Sequence, residues 1–225
     1  MSDEPQVNEL MVKGIVVGVF AENCWIIGNR RSSEGIVIDP GDQAEDILAL
    51  AKDMGVNVKV IANSHAHVDH ILGVREVQEK TGAKFLMHEG ELSIAKSAAN
   101  SAKMFTGRDV EPPPDPDAYL NDGDEIDVDG VKLKVIHTPG HTPGSLSFYT
   151  EGMLFSGDTL FRGSIGRTDL PGGDYAQEMA SIVDRLMELP DETVVLPGHM
   201  QETQIGTERQ TNPFVLEELE NRRNS

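Results

Sequence analysis

Hydrophobic positions along the chain change their period several times, and each change predicts an element. The runs "LMVKGIVVGVF" (10–20), "CWIIGN" (24–29) and "GIVIDPG" (35–41) are short and β-branched, as strands are, and the third ends in the turn signal Asp39-Pro40-Gly41. "DQAEDILALAKDMG" (42–55) shifts to a helical period. Ala44, Ile47, Leu48, Ala51 and Met54 fall on one stripe, Asp42 is placed to cap it with Glu45 completing a capping box, and Gly55 is placed to end it. "VKVIANS" (58–64) is apolar at its centre, which predicts a strand buried on both faces. "DHILGVREVQEKTG" (69–82) reads as a helix stopped by Gly82. "AKFLMHEGE" (83–91) is strand-like and leads into a helix expected over 89–100.

Residues 106–118, "TGRDVEPPPDPDA", are Pro-rich and acidic and predict a long loop, of the kind that rims or covers a site. Alternation then returns. "EIDVDGVKLKVIH" (125–137) and "SLSFYTEGMLFSGD" (145–158) predict hairpins turning at Asp129-Gly130 and Glu151-Gly152. "DYAQEMASIVDRLMELP" (174–190) puts Ala176, Met179, Ile182, Val183, Leu186 and Leu189 on one helical face. "TVVLPGH" (193–199) is a last strand, and "NPFVLEELENRR" (212–223) a closing helix begun at Pro213. No linker or repeat divides the series, so one mixed α/β domain over 1–225 is expected, with two sheets covered by helices.

Composition narrows the function classes. Asp and Glu number 38 against 19 Lys and Arg, a formal net charge of −19, which repels phosphate backbones and argues against nucleic acid as a partner. Cys24 is the single cysteine, so no intrachain disulfide is possible. In its apolar setting it reads as a small buried hydrophobe in a reducing compartment. The acidic start "MSDEPQVNEL" lacks the apolar core of a signal peptide, and the first apolar run is too short to span a bilayer, so a cytoplasmic location away from membranes is expected.

The chemistry gathers in "NSHAHVDHILG" (63–73), where His65, His67, Asp69 and His70 fall within six positions. Imidazole and carboxylate are the donors that zinc, iron and manganese take. On extended backbone, residues two apart point the same way, so His65 and His67 can aim at one point. Asp69 and His70, where the chain turns into a helix, can face a second, and the pattern suits two adjacent metals better than one. Four donors cannot fill two sites. Further ones stand just past apolar strands: His141 in the stiff "HTPGHTPGS", Asp158 in "LFSGDTLF" and His199 in "VVLPGHM". His88 reads as a surface histidine and His137 as a structural one. Asp39 is either a turn residue or an acceptor for a ligand histidine.

The motifs "HAHVDH", "TPGHTPGS", "FSGDTLF" and "LPGH", in this order and spacing and with "IDPG" before the first helix, resemble the metallo-β-lactamase fold superfamily over nearly the whole chain. "GDTLFRGSIGRTDLPGGD" and "IGTERQTNPF" resemble a short, single-domain subgroup of its glyoxalase II branch. The resemblance implies an αββα sandwich of two mixed β-sheets flanked by helices, with a binuclear site along one edge. It implies that His65, His67 and His141 hold one divalent ion, that Asp69, His70 and His199 hold the other, and that Asp158 bridges them. Zinc is the first expectation, with iron or manganese also within the family's range.

The implied chemistry is hydrolysis of a thioester such as S-D-lactoylglutathione by a hydroxide shared between the ions. Asp69 would position that nucleophile and pass a proton, and Arg167 would contact the substrate's glutathione part. Fuller members of the branch add a helical C-terminal domain that grips glutathione. Only 26 residues follow His199 here, so the thiol grip is expected to be reduced or built differently. Persulfide dioxygenases of the superfamily keep much the same motif with one iron at positions matching His65, His141 and Asp158. Lactonases and β-lactamases share the hydroxide chemistry in different pockets.

Overall fold

A computed structural model describes residues 9–224, so the first part of the acidic N-terminal stretch lies outside the described residues. The chain opens with β1 (Leu10–Val17), β2 (Glu22–Asn29) and β3 (Glu34–Ile38), followed by α1 (Ala44–Asp53) and β4 (Asn57–Ala62). It continues through α2 (Val68–Ile71), α3 (Val74–Thr81), β5 (Lys84–Met87), α4 (Leu92–Thr106) and β6 (Ala118–Tyr119). These strands form one six-stranded sheet in the order β1 to β6, antiparallel through β3 and parallel from there on.

The second half supplies β7 (Glu125–Val128), β8 (Val131–His137), β9 (Leu146–Thr150), β10 (Met153–Gly157) and the small hairpin of β11 (Leu160–Phe161) and β12 (Ser164–Ile165). After these come α5 (Tyr175–Ser181), β13 (Val194–Pro197), β14 (Thr203–Gln204), α6 (Ile205–Thr211) and α7 (Pro213–Asn224). Its six-stranded sheet runs β14-β13-β10-β9-β8-β7, parallel only between β10 and β13.

Strand alternation sorts the apolar side chains into three layers. Ile27, Ile36 and Ile38 of the first sheet pack against Leu133, Val135, Phe148 and Phe155 of the second, forming the core between the sheets. Their neighbours Cys24, Ile26, Val37 and Ile61 face outward onto Ala44, Ile47 and Ala51 of α1, Val74 and Val77 of α3, and Ala95 and Ala98 of α4. On the far side Leu154 and Val195 meet Met179, Ile182, Leu186 and Val215. The molecule is therefore helix, sheet, sheet, helix, as expected, and Cys24 is buried and unpaired. Among the described residues, no helix is long and apolar enough to cross a membrane.

Several expected boundaries shift, each for a local reason. β1 stops at Val17, and residues 18–21 turn, leaving Phe20 exposed. Asp42 does not cap α1. Gln43 precedes the helix in a left-handed conformation with no side-chain cap, while Asp42 is drawn into an ion pair with Arg108. The helix expected over 69–82 breaks into α2 and α3 at Leu72-Gly73, where the Gly73 N–H turns to the Pro40 carbonyl at 2.8 Å. A Cβ at Gly73 would lie 2.7 Å from that oxygen, so glycine permits the crossing.

The helix expected over 89–100 begins with a tight turn at Glu89–Glu91 and then runs to Thr106. Beyond Ser181, α5 widens into a π-type turn over Ile182–Leu186, and Ala176 is exposed rather than on the packed face. The Pro-rich loop does not cover the site. Arg75 holds the Pro112 carbonyl, and Asp117 accepts from Gln78 and from the Phe85 N–H, so the loop is pinned to the α3–β5 side. Gly55, Gly82 and the turns at Asp129-Gly130 and Glu151-Gly152 take the positive φ values expected of them.

Candidate metal centre

Strands β4, β8, β10 and β13 end at the same edge of the sandwich, and the ligand-type residues sit just past those ends. Nitrogen atoms of His65, His67 and His141 form one group, and donor atoms of Asp69, His70 and His199 form another. Within each group the atoms lie within 4.8 Å of one another. His67 Nδ1 is 2.8 Å from His141 Nε2, and His199 Nε2 is 3.1 Å from Asp69 Oδ2. Asp158 stands between the groups: Oδ1 is 3.4 Å from His70 Nε2, and Oδ2 is 3.7 Å from His141 Nε2 and 3.6 Å from His199 Nε2. All seven residues singled out from the sequence meet here. His88 and His137 instead stack on each other at 4.5 Å, outside both groups.

The donor atoms fit a cation better than they fit one another. His65 Nε2, His70 Nε2 and Asp158 Oδ1 are buried with no hydrogen-bond partner, an arrangement that costs free energy unless something positive sits between them. Burial, with neighbouring imidazoles, holds His65 well below the usual histidine range, and burial and His141 hold His67 at about 4, so both present lone pairs at neutral pH. Burial opposes charge on His70 and on Asp158. Nevertheless Asp158 and Asp69 push His70 up, and His70 holds Asp158 well below the usual carboxylate range.

Outer contacts set the ring orientations. The His141 Nδ1–H donates to the Arg167 carbonyl at 2.7 Å, which turns Nε2 inward. Asp39 does for two histidines what the sequence left open. Its Oδ2 is 3.2 Å from His70 Nδ1 and accepts from Ser64 Oγ at 2.6 Å, while its Oδ1 accepts from the Ser64 N–H at 2.7 Å. With its proton given to Asp39, Ser64 Oγ can accept from the His65 Nδ1–H 3.0 Å away, leaving His65 Nε2 free.

Four further groups were not singled out from the sequence. The Asn63 amide donates to the His65 and His70 carbonyls, stapling the histidine turn. Glu91 accepts from the Ala66 and Gly144 N–H groups, both at 2.8 Å, and so joins two ligand loops. Glu178 Oε2 accepts from the His141 N–H at 2.7 Å. Glu22 is buried 3.9 Å from His70 Nδ1, and burial holds its pKa well above the usual range. A charged residue inside the apolar run "FAENCWIIG" was a legible signal for Glu22; Glu91 and Glu178 had no comparable one.

A cavity of about 630 Å³ opens over the cluster, with His67, Asp69, His141, Asp158 and His199 on its floor. Arg167 lines it, and its Nε and Nη2 bond both oxygens of Asp169 at 2.7 and 2.8 Å.

A mixed αββα sandwich with two histidine–aspartate groups at one sheet edge defines a class of metal-binding proteins, and the comparisons name it. The Metallo-beta-lactamase superfamily profile matches residues 17–199, and the chain belongs to that superfamily of divalent-metal hydrolases. It is 33% identical to the hydroxyacylglutathione hydrolase GloC of Haemophilus influenzae, over 89% of this chain and 96% of that one. Among solved structures it resembles the BLEG-1 B3 metallo-beta-lactamase, with TM-score 0.85 and 36% identity over 91% of this chain and 99% of that chain. It also resembles TTHA1623 in a di-iron-bound form, with TM-score 0.81 and 37% identity over 90% and 99%.

Proposed function

We propose that the protein is a metal-dependent thioester hydrolase with two divalent cations. His65, His67 and His141 hold one cation, Asp69, His70 and His199 the other, and Asp158 faces both. The observation that carries the reading is the pairing of two donor groups around Asp158, with inward nitrogen and oxygen atoms that make no hydrogen bond. The relatives named a hydroxyacylglutathione hydrolase and a di-iron protein support it. Cations bound there supply Lewis acidity and lower the pKa of water toward neutrality.

The chain's own groups do the rest. Asp69 lies on the cavity floor, orients the attacking water and takes its proton. The cavity walls hold the acyl carbonyl above the cluster. Water adds to the carbonyl carbon and the C–S bond breaks, giving a carboxylic acid and a thiol. A thiol of pKa about 8–9 leaves readily as the thiolate. Arg167, at the cavity wall, contacts the substrate. A reducing, cytoplasmic setting is part of this reading, and the one cysteine, buried and unpaired, is compatible with it.

The test is thioester cleavage by protein loaded separately with zinc, iron or manganese, beside His65→Ala and Asp158→Ala. Turnover that both substitutions abolish is expected. No turnover with any metal, or unchanged turnover in both variants, overturns the reading. Oxygen uptake with glutathione persulfide in place of cleavage would assign the site to persulfide oxidation.

A further inference from the structure

We infer that the thioester taken by this site carries a hydrocarbon acyl chain, and that the cavity is built to hold that chain rather than a charged glutathione arm. The inference rests on the thioester-hydrolase reading and adds the class of substrate. Above the polar floor the walls are mostly apolar, with Ser101, Ser164 and Arg167 as the polar exceptions. Ile94 and Ala98 come from α4, and Phe161 and Ile165 from the β11–β12 hairpin.

The apolar surface continues outward. Phe20 from the β1–β2 turn, Phe105 from the end of α4 and Met200 from the loop after β13 line the cavity while exposed at 42%, 59% and 57%. Single exposed apolar residues are ordinary. Three from separate segments that line one cavity give it an apolar exposed rim, the kind of surface that marks a binding site. A cavity of about 630 Å³ is the size that encloses most of a small organic ligand.

Charge points the same way. Glutathione brings two carboxylates at neutral pH. Among the described residues, Arg167 is the only lysine or arginine lining the cavity, and Asp169 already occupies two of its nitrogens. The chain's net charge of −19 adds a repelling field. Carboxylates carried on a glutathione arm along these walls would lose water without gaining an unpaired lysine or arginine. A hydrocarbon chain would gain about fourfold in binding for each methylene fully buried.

The experiment is a series of N-acetylcysteamine thioesters, which have a neutral carrier, with acyl chains from acetyl to octanoyl, measured beside S-D-lactoylglutathione. Titration calorimetry with the uncleavable thioether S-octyl-N-acetylcysteamine gives a second readout. The expected result is kcat/KM rising two- to fourfold per methylene to at least tenfold above lactoylglutathione. Ile94→Ser and Phe105→Ser should each flatten that rise, and Phe105 is exposed, so its replacement leaves the fold intact. The thioether should bind with a negative heat-capacity change. Cleavage that is independent of chain length, or fastest with lactoylglutathione, overturns this inference and leaves thioester hydrolysis standing. Failure to cleave any thioester, with the thioether still bound, overturns the hydrolytic reading and supports the apolar site. Failure to bind the thioether overturns the apolar site.

Discussion

Glu178 accepts a hydrogen bond from the backbone N–H of His141 at 2.7 Å, with its carboxyl group buried. Burial pushes its pKa up to about 9, so the group is neutral at pH 7. An amide oxygen would accept the same bond at the same size. Glu178→Gln should therefore keep near-native stability and metal affinity. Glu178→Ala should lose about 1–3 kcal/mol by orphaning the N–H, and loosen the loop that aims His141. Urea unfolding and a metal competition assay check both. Equal losses in the two variants would mean that charge, not bond acceptance, is what Glu178 supplies.

Asp39 orients His70 directly and His65 through Ser64. Asp39→Asn keeps the volume but offers one acceptor oxygen where two are used. Metal affinity should fall about 10–100-fold, the usual effect of removing a group that orients a ligand, while circular dichroism stays native. A chelator competition measures it; unchanged affinity would leave Asp39 as a turn residue only.

How much of this could be read from the sequence depended on what each residue would otherwise be doing. Histidines at 65, 67 and 70 have no role in a core or on a solvated face that would explain their crowding, so they stood out. Strands did as well: β2 and β3, buried on both faces, read as continuous apolar runs, and β7 and β8, with one face exposed, as alternation. Glu91 and Glu178 were not legible. A lone carboxylate in a helical segment reads as a solvated position. Its value here comes from backbone N–H groups in loops that only the folded chain brings near. The break at Gly73 was hidden for the same reason, since its cause is the Pro40 carbonyl, distant in sequence.

Arg167 and Asp169 form a two-bond pair at the cavity wall, both largely exposed. The guanidinium holds Asp169 at about 2. Because the folded-state pKa is depressed, the pair's contribution is present above the ordinary carboxylate range and is lost as pH falls through about 2. Arg167→Gln should return the Asp169 midpoint toward the ordinary 3.8 in a carboxyl-carbon NMR titration. A midpoint already near 3.8 in the native protein would show the pair broken in solution and Arg167 free to meet an anion.

Unpartnered donors in the cluster make cation binding a source of stability. A cation that binds only the folded chain adds about 2.7 kcal/mol at 100 times its Kd. In a chain of 225 residues that raises Tm by roughly 5–10 °C. Zinc, iron or manganese should each shift the melting curve, and a chelator should reverse the shift. Asp158→Ala should remove at least half of it, since that carboxylate faces both groups. A full shift in the variant would place the bound metal elsewhere.

Gly198 shows why the residue before His199 must lack a side chain. A Cβ there would lie 2.4 Å from Asp158 Oδ1 and 2.6 Å from His70 Cε1, and the Gly198 N–H is fixed to the Gly157 carbonyl at 2.8 Å. The backbone is held, so an added methyl must displace the two side chains. Gly198→Ala should thus spoil the centre by moving Asp158 and His70, although no ligand atom is removed. Metal affinity should drop by tenfold or more, and hydrolysis should fall with it, since an ångström of misplacement is enough to cost that much. The far-UV spectrum should be unchanged. Native metal affinity in this variant would mean that Asp158 and His70 have room to shift together without loss, and that the spacing between the two donor groups is looser than the distances around Asp158 imply.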